Sequence, residues 1–178
     1  MDNVLVHTKA VLGSTPRRWQ DLTRTLASEL LTQPPAAGEW SAAECLQHLI
    51  DTERYVMPVR VRAFLAGQDF AAFNPDSEGT SASSLSPQEL AAQFAELRAA
   101  SLDLLSQLKP ADLARQARHS ELGMVTLEQM LHEWAGHDLM HTVQAERALM
   151  QPFLRACGPW RVYFSDHDID ARKDAAPQ

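Results

Sequence analysis

Two histidines four residues apart, His137 and His141, stand in the segment HEWAGHDLMHTVQAERAL at residues 132–149. The segment has helical spacing, and residues at i and i+4 of a helix have Cβ atoms about 5–6 Å apart. Two imidazoles so placed can meet on one cation through metal–nitrogen bonds of roughly 2.0–2.1 Å. On the helical wheel Leu127, Met130, Leu131, Trp134, Ala145 and Leu149 form an apolar face, with both histidines on its flank and Asp138 near its middle. The pair reads H-D-L-M-H, so the His-Glu-x-x-His of the zinc proteases is absent.

A third ligand has to come from a facing helix, as in other sites built inside helical bundles. His48 is the candidate; it shares a helix face with Cys45, Thr52 and Tyr55. Three neutral imidazoles leave at least one coordination position open, the pattern of a catalytic rather than a closed structural site. Zn²⁺ or Ni²⁺ suits such a donor set, with Fe²⁺ or Mn²⁺ as alternatives. Taken alone, an i,i+4 pair is also compatible with surface or core polar decoration. His132 lies about 140° from His137 on the wheel and falls outside the site. His7, His119 and His167 lie near the ends or in a loop, His119 near enough to reach a pocket mouth. Cys45 reads as a small buried apolar residue. Asp51, Glu53, Glu133 and Glu146 read as solvated or helix-pairing charges. Asp138, a carboxylate on an apolar face, needs a partner, and a hydrogen bond to a ligand imidazole is expected.

Four amphipathic helices must position these groups. The first is expected from Ser14-Thr15-Pro16, a hydroxyl cap with Pro at the first helical position, through Trp19, Leu22, Leu26 and Leu30 to Pro34-Pro35. The second begins at the capping box Ser41–Glu44, with Trp40 and Cys45 in staple positions, and runs to about Ala66 with a kink or break at Pro58. Residues 67–85 form a long connection, which would allow the second and third helices to run parallel. The third helix is capped at Ser86-Pro87 and carries Leu90, Phe94, Leu97, Leu102, Leu105 and Leu108 to Lys109-Pro110. A short helical turn and a loop follow, with no convincing strand pattern. The fourth helix is capped by Thr126 and Gln129, runs to about Met150 and is closed by Pro152. The aromatic residues of FLRACGPWRVYFSDHD would pack back on the bundle. The expected organisation is one all-α four-helix-bundle domain over residues 1–164 with a flexible tail at 165–178, the last eight or so residues disordered.

Composition narrows the function. Net charge is −7, from 16 Lys and Arg against 23 Asp and Glu, without the basic stripe that a nucleic acid needs. No apolar run approaches the ~18 residues of a membrane span, and the start lacks the pattern of a secretory signal. The two cysteines, Cys45 and Cys157, form no C-x-x-C. A cytoplasmic protein with reduced thiols is expected.

Together, GEWSAAECLQHLIDTE and, about ninety residues later, LGMVTLEQMLHEWAGHDLMHTVQAERAL resemble the DinB/YfiT-like proteins, and CGPWRVYF resembles their usual ending. The resemblance covers roughly residues 14–164. It implies a four-helix bundle holding a divalent metal through one histidine of the second helix and two of the fourth, here His48, His137 and His141. Characterised members of that family include S-transferases that join a thiol such as bacillithiol, mycothiol or glutathione to an electrophile. A thiol-dependent S-transferase acting on a small molecule is therefore the leading expectation. A metal-dependent hydrolase, with Asp138 or Glu53 as base, is the first alternative. A non-enzymatic, stress-linked protein with a structural metal is the second. A homodimer is expected, because relatives often pair and twofold dimers are the commonest assembly.

Overall fold

The computed structural model describes residues 3–73 and 83–171. Its helices are α1 (Val4–Thr25), α2 (Ser28–Thr32), α3 (Ala42–Tyr55), α4 (Met57–Ala66), α5 (Pro87–Ser106) and α6 (Leu127–Ala156). A hairpin of β1 (Gln116–His119) and β2 (Gly123–Thr126) precedes α6, and 3₁₀ turns lie at Pro110–Ala114 and Gly158–Phe164.

Helix starts follow local chemistry. Ser41, Ser86 and Thr126 each accept from the backbone N–H three residues on, while Glu44, Glu89 and Gln129 reach back to the cap N–H. Two orphan donors are satisfied at each start. Between α3 and α4 the chain breaks at Val56, and Pro58 falls in the first turn of α4, where its missing N–H costs nothing.

α1 packs on α5 and α6, and so does α3. Side-chain contacts give the directions. Thr8 meets Leu131, Thr15 meets Asp138 and Arg18 meets Glu146, so α1 and α6 run parallel. His48 meets His137 while Glu53 meets Trp134, so α3 and α6 run antiparallel. Gln88 meets Thr23 while Arg98 meets Leu12, which sets α1 against α5 and makes α3 and α5 parallel. The long connection after α4 permits this arrangement.

The core is split in two. One apolar cluster includes Leu12, Met57, Phe64, Leu105, Leu131 and Trp134; the other includes Trp19, Leu46, Ile50, Leu90, Phe94 and Leu149. Between them lies a buried polar layer. Arg98 of α5 donates to Asp138 Oδ1 and Oδ2 (2.7 and 2.8 Å) and to Glu53 Oε1 (2.7 Å). Thr15 donates to Asp138 Oδ2 (2.6 Å), Ser101 to Glu53 Oε2 (2.5 Å) and Trp134 Nε1 to Glu53 Oε1 (3.1 Å). All four long helices contribute.

Several sequence expectations are corrected. α1 starts at Val4, ten residues before Ser14, and Pro16 lies inside it. A proline there leaves the carbonyl of Leu12 without its helical donor. Arg98 Nη1 (2.9 Å) and the Thr15 hydroxyl (3.2 Å) donate to that carbonyl instead. The buried stripe before Pro16 includes Thr8 and Thr15, which masked its periodicity. The helix also breaks at Leu26, whose extended backbone separates α1 from α2. At the other end α6 continues through Pro152 to Ala156. The hairpin leaves no strand pattern in the sequence, because its strands are four residues long and β1 buries only Ala117 and His119.

The tail packs back, though not through its aromatic residues: Trp160 and Tyr163 are exposed, whereas Asp168 and Ile169 are buried. Arg161 donates to Asp168 and Asp170, and Gln151 of α6 bonds the backbone of His167 and Ile169. Of the segment expected to be loose, 165–171 is thus held on α6, and 172–178 lies outside the described residues.

Candidate metal centre

His48 is carried by α3 and His137 and His141 by α6, and the antiparallel packing of these helices brings the three rings together. Ring centroids lie 4.4 Å (His48–His141), 4.5 Å (His137–His141) and 5.2 Å (His48–His137) apart. One nitrogen from each ring lies within 4.8 Å of the other two. The Nε2 atoms of His48 and His137 are 3.2 Å apart. Two nitrogens bonded to one tetrahedral cation at 2.0–2.1 Å stand roughly 3.3 Å apart, so the spacing fits a shared ion. His141 Nδ1 lies 2.9 Å from Gln144 Oε1. The amide oxygen can only accept, so Nδ1 carries the proton and Nε2 keeps its lone pair. The Nδ1 atoms of His48 and His137 are buried with no hydrogen-bond partner among the described residues.

Burial keeps the rings neutral, the form that ligates a metal. Loss of water, followed by the nearby His141, pushes His48 down to about 4. Loss of water and then its two neighbouring imidazoles push His137 down to about 3. His141 is also lowered by burial, opposed by its bond to Gln144 and by the charge of Asp138.

Trp40, immediately before the α3 cap, walls one side of the triad. Its ring stacks on His141 (5.9 Å, 20°) and lies 5.1 Å from His48. The triad opens into a cavity of about 290 Å³, lined also by Thr52, Met57, Arg60, Phe73, Glu133 and Met140.

The other sequence candidates fall elsewhere. Asp138 does not bond an imidazole: Arg98 and Thr15 hold both its oxygens. Glu53 is buried in the same layer, and Asp51 is buried and accepts from Gln47 (3.0 Å), so neither is a solvated charge. Burial raises the Glu53 carboxyl despite Arg98 beside it. Glu146 pairs with Arg18 across α1 and α6. Glu133 faces the triad cavity, where loss of water lifts its carboxyl above the usual range against the pull of Arg60. Cys45 is buried outside the triad, its thiol pushed up to about 12 by burial and then by Glu44. His119 is buried, with Nδ1 accepting from the N–H groups of Glu121 and Leu122, and lines a neighbouring cavity. His132 is exposed on α6.

Gln144, Arg60 and Arg98 have no site role from the sequence, and Trp40 only that of a helix staple. Gln144 had a usable signal, one turn beyond a ligand candidate on the same helix. The others had none, because their partners lie on different elements.

Fold and site together define a class: helical bundles with three imidazoles converging between two antiparallel helices. Residues 12–145 match the sequence profile of the DinB superfamily, and the chain belongs to that superfamily. Among solved structures it is similar to YfiT from Bacillus subtilis, with TM-score 0.71 and 18% identity over 86% of this chain and 90% of that one. It is also similar to the DinB-like protein YjoA from Bacillus subtilis, with TM-score 0.56 and 16% identity over 82% of this chain and 91% of that one. YfiT is described as having an unusual four-helix bundle topology, and the fold here is of that kind, with a small hairpin. No curated protein sequence matches the chain significantly. No helix among the described residues is long and apolar enough to cross a membrane.

Proposed function

We propose that the protein is a metal-dependent enzyme that transfers a low-molecular-weight thiol to an electrophilic small molecule, with His48, His137 and His141 as the metal ligands. The observation that carries the metal is the convergence of three neutral imidazoles at coordination spacing on a cavity wall. A divalent ion bound there would lower the pKa of a thiol or water that joined its shell. Gln144 fixes the tautomer and tilt of His141, and Trp40 shields the triad from solvent on one side. Cys45 stays outside the cluster, so the three rings leave part of the shell to a substrate and a purely structural ion is disfavoured.

Two features support S-transfer over water activation. Asp138 and Glu53, the carboxylates that could have served as general bases, are both locked on Arg98. The triad cavity also adjoins a second one of about 330 Å³, as a two-substrate reaction needs, with Arg60, Phe73 and Glu133 lining both.

One observation favours the second reading. Glu133 faces the triad cavity with a raised carboxyl pKa, the setting of a general base, and YfiT is described as a probable metal-dependent hydrolase. Metal-loaded protein should conjugate glutathione, bacillithiol or mycothiol to a halo-aromatic acceptor, and His137→Ala should reduce the rate at least 100-fold. Absence of activity with every thiol, together with ester or amide hydrolysis abolished by Glu133→Gln, would replace S-transfer by hydrolysis.

A further inference from the structure

The second cavity has a chemical character of its own. Its walls include Phe70, Phe73, Leu122, Val125 and Met130, and its volume of about 330 Å³ suits a small apolar body. Arg60, in the middle of α4, stands where the two cavities meet and lines both. Its guanidinium lies over the Phe70 ring at 5.4 Å, and its one hydrogen bond among the described residues, to the Ala71 carbonyl, is long at 3.5 Å. Among the described residues no carboxylate lies within ion-pair distance of it. Arg98 of the bundle interior and Arg161 of the tail, by contrast, are ion-paired. A half-buried guanidinium with most of its five donors uncommitted among the described residues, set at the mouth of an apolar chamber, is built to take a planar anion in a two-point grip.

We propose that Arg60 is the anion subsite of this cleft, and that the electrophilic substrate is a small carboxylic acid with an apolar body. The body occupies the Phe70–Met130 chamber, and the carboxylate sits on Arg60 between that chamber and the histidines. This assignment rests on the reading of the triad as the reacting end, but the subsite itself needs no metal. The aromatic walls favour the acceptor as the source of the carboxylate, since low-molecular-weight thiols have polar bodies. Glu133 and Glu121 share the cavity wall. Glu133 is the group nearest in role to a resting counter-charge for Arg60, and it would compete with the incoming anion.

Phenylacetate and its neutral counterpart phenylacetamide, titrated into metal-free protein by calorimetry, test this directly. Phenylacetate should bind at least tenfold more tightly than the amide. Arg60→Met should bring the acid down to the amide's affinity while leaving the amide unchanged, and Arg60→Lys should retain part of the difference. Glu133→Gln should tighten the acid alone. Equal affinity of acid and amide in the wild type, or an equal loss of both in Arg60→Met and Arg60→Lys, overturns the subsite. Glutathione binding more tightly than phenylacetate in an Arg60-dependent manner overturns the assignment of the anion to the apolar substrate. Loss of metal binding with this pattern intact would defeat the metal reading and leave the anion subsite standing.

Discussion

At the scale of the residue, the histidines carry a measurable signature even without metal. His48 and His137 fall from 6.5 to about 4 and about 3 in the folded protein. Below pH 6.5 the unfolded chain takes up protons that the folded chain refuses, so unfolding gains. Stability is complete above about pH 6.5 and is lost as pH falls towards 4 and then 3, by up to about 1.4 kcal/mol per unit for each ring. Urea melts of metal-free protein at pH 7.5, 6 and 5 should show that slope, and a His48→Asn/His137→Asn variant should flatten it. An unchanged slope would mean that these rings are not the buried neutral groups described. Gln144 offers a second residue-scale prediction. Gln144→Ala frees Nδ1 of His141 and should weaken metal binding about 10–100-fold without altering the metal-free fold; unchanged affinity by competition with a chelator would remove Gln144 from the site. The clustering of the triad was legible in the sequence because two of its histidines share one helix at a fixed spacing, and the third lies on a helix with a recognisable cap. The carboxylates misled. Asp138 sits next to a ligand candidate in the chain, but its oxygens point at Arg98, forty residues away, and linear spacing cannot show that.

At the scale of the element, the buried polar layer ties the four long helices together. Arg98, Glu53 and Asp138 are almost wholly buried, with side chains about 1% exposed. Replacing both charges of such a pair can be neutral, whereas removing one partner strands the other. Arg98→Met should therefore cost about 3–5 kcal/mol in denaturant unfolding, and adding Glu53→Gln and Asp138→Asn should recover part of it. Full additivity of the three substitutions would show that they do not act as a unit. The same layer accounts for Pro16. A proline inside α1 reads from the sequence as a helix start, yet the carbonyl it frees is taken by Arg98. Helix starts at Ser41, Ser86 and Thr126 were legible because each cap is satisfied within four residues. The start of α1 has no side-chain cap, and neither its break at Leu26 nor the continuation of α6 through Pro152 carries such a local signal.

At the scale of the whole molecule, the bundle is expected to fold without a metal. Two apolar clusters and the Arg98 layer hold the four long helices, while the triad lies between α3 and α6 at the wall of a cleft. Chelation should leave the helical circular dichroism intact and lower the melting temperature. Metal at about a hundred times its dissociation constant should restore about 2.7 kcal/mol. A metal-free protein that unfolds outright would make the ion structural. The family and the bundle were legible from the sequence, because the capped helices and the H-x-x-x-H segment occur together. The cleft was not, because its walls come from α3, α4, the connection after α4, the hairpin and α6.

The most direct test of the account is elemental analysis of the untagged protein beside a His48→Ala/His137→Ala/His141→Ala variant, each incubated with Zn²⁺, Ni²⁺, Mn²⁺ and Fe²⁺ and then desalted. The account predicts about one divalent ion per chain in the wild type and none in the variant, with both proteins folded. Equal metal content in the two, or none in either, would contradict the three histidines as a metal centre.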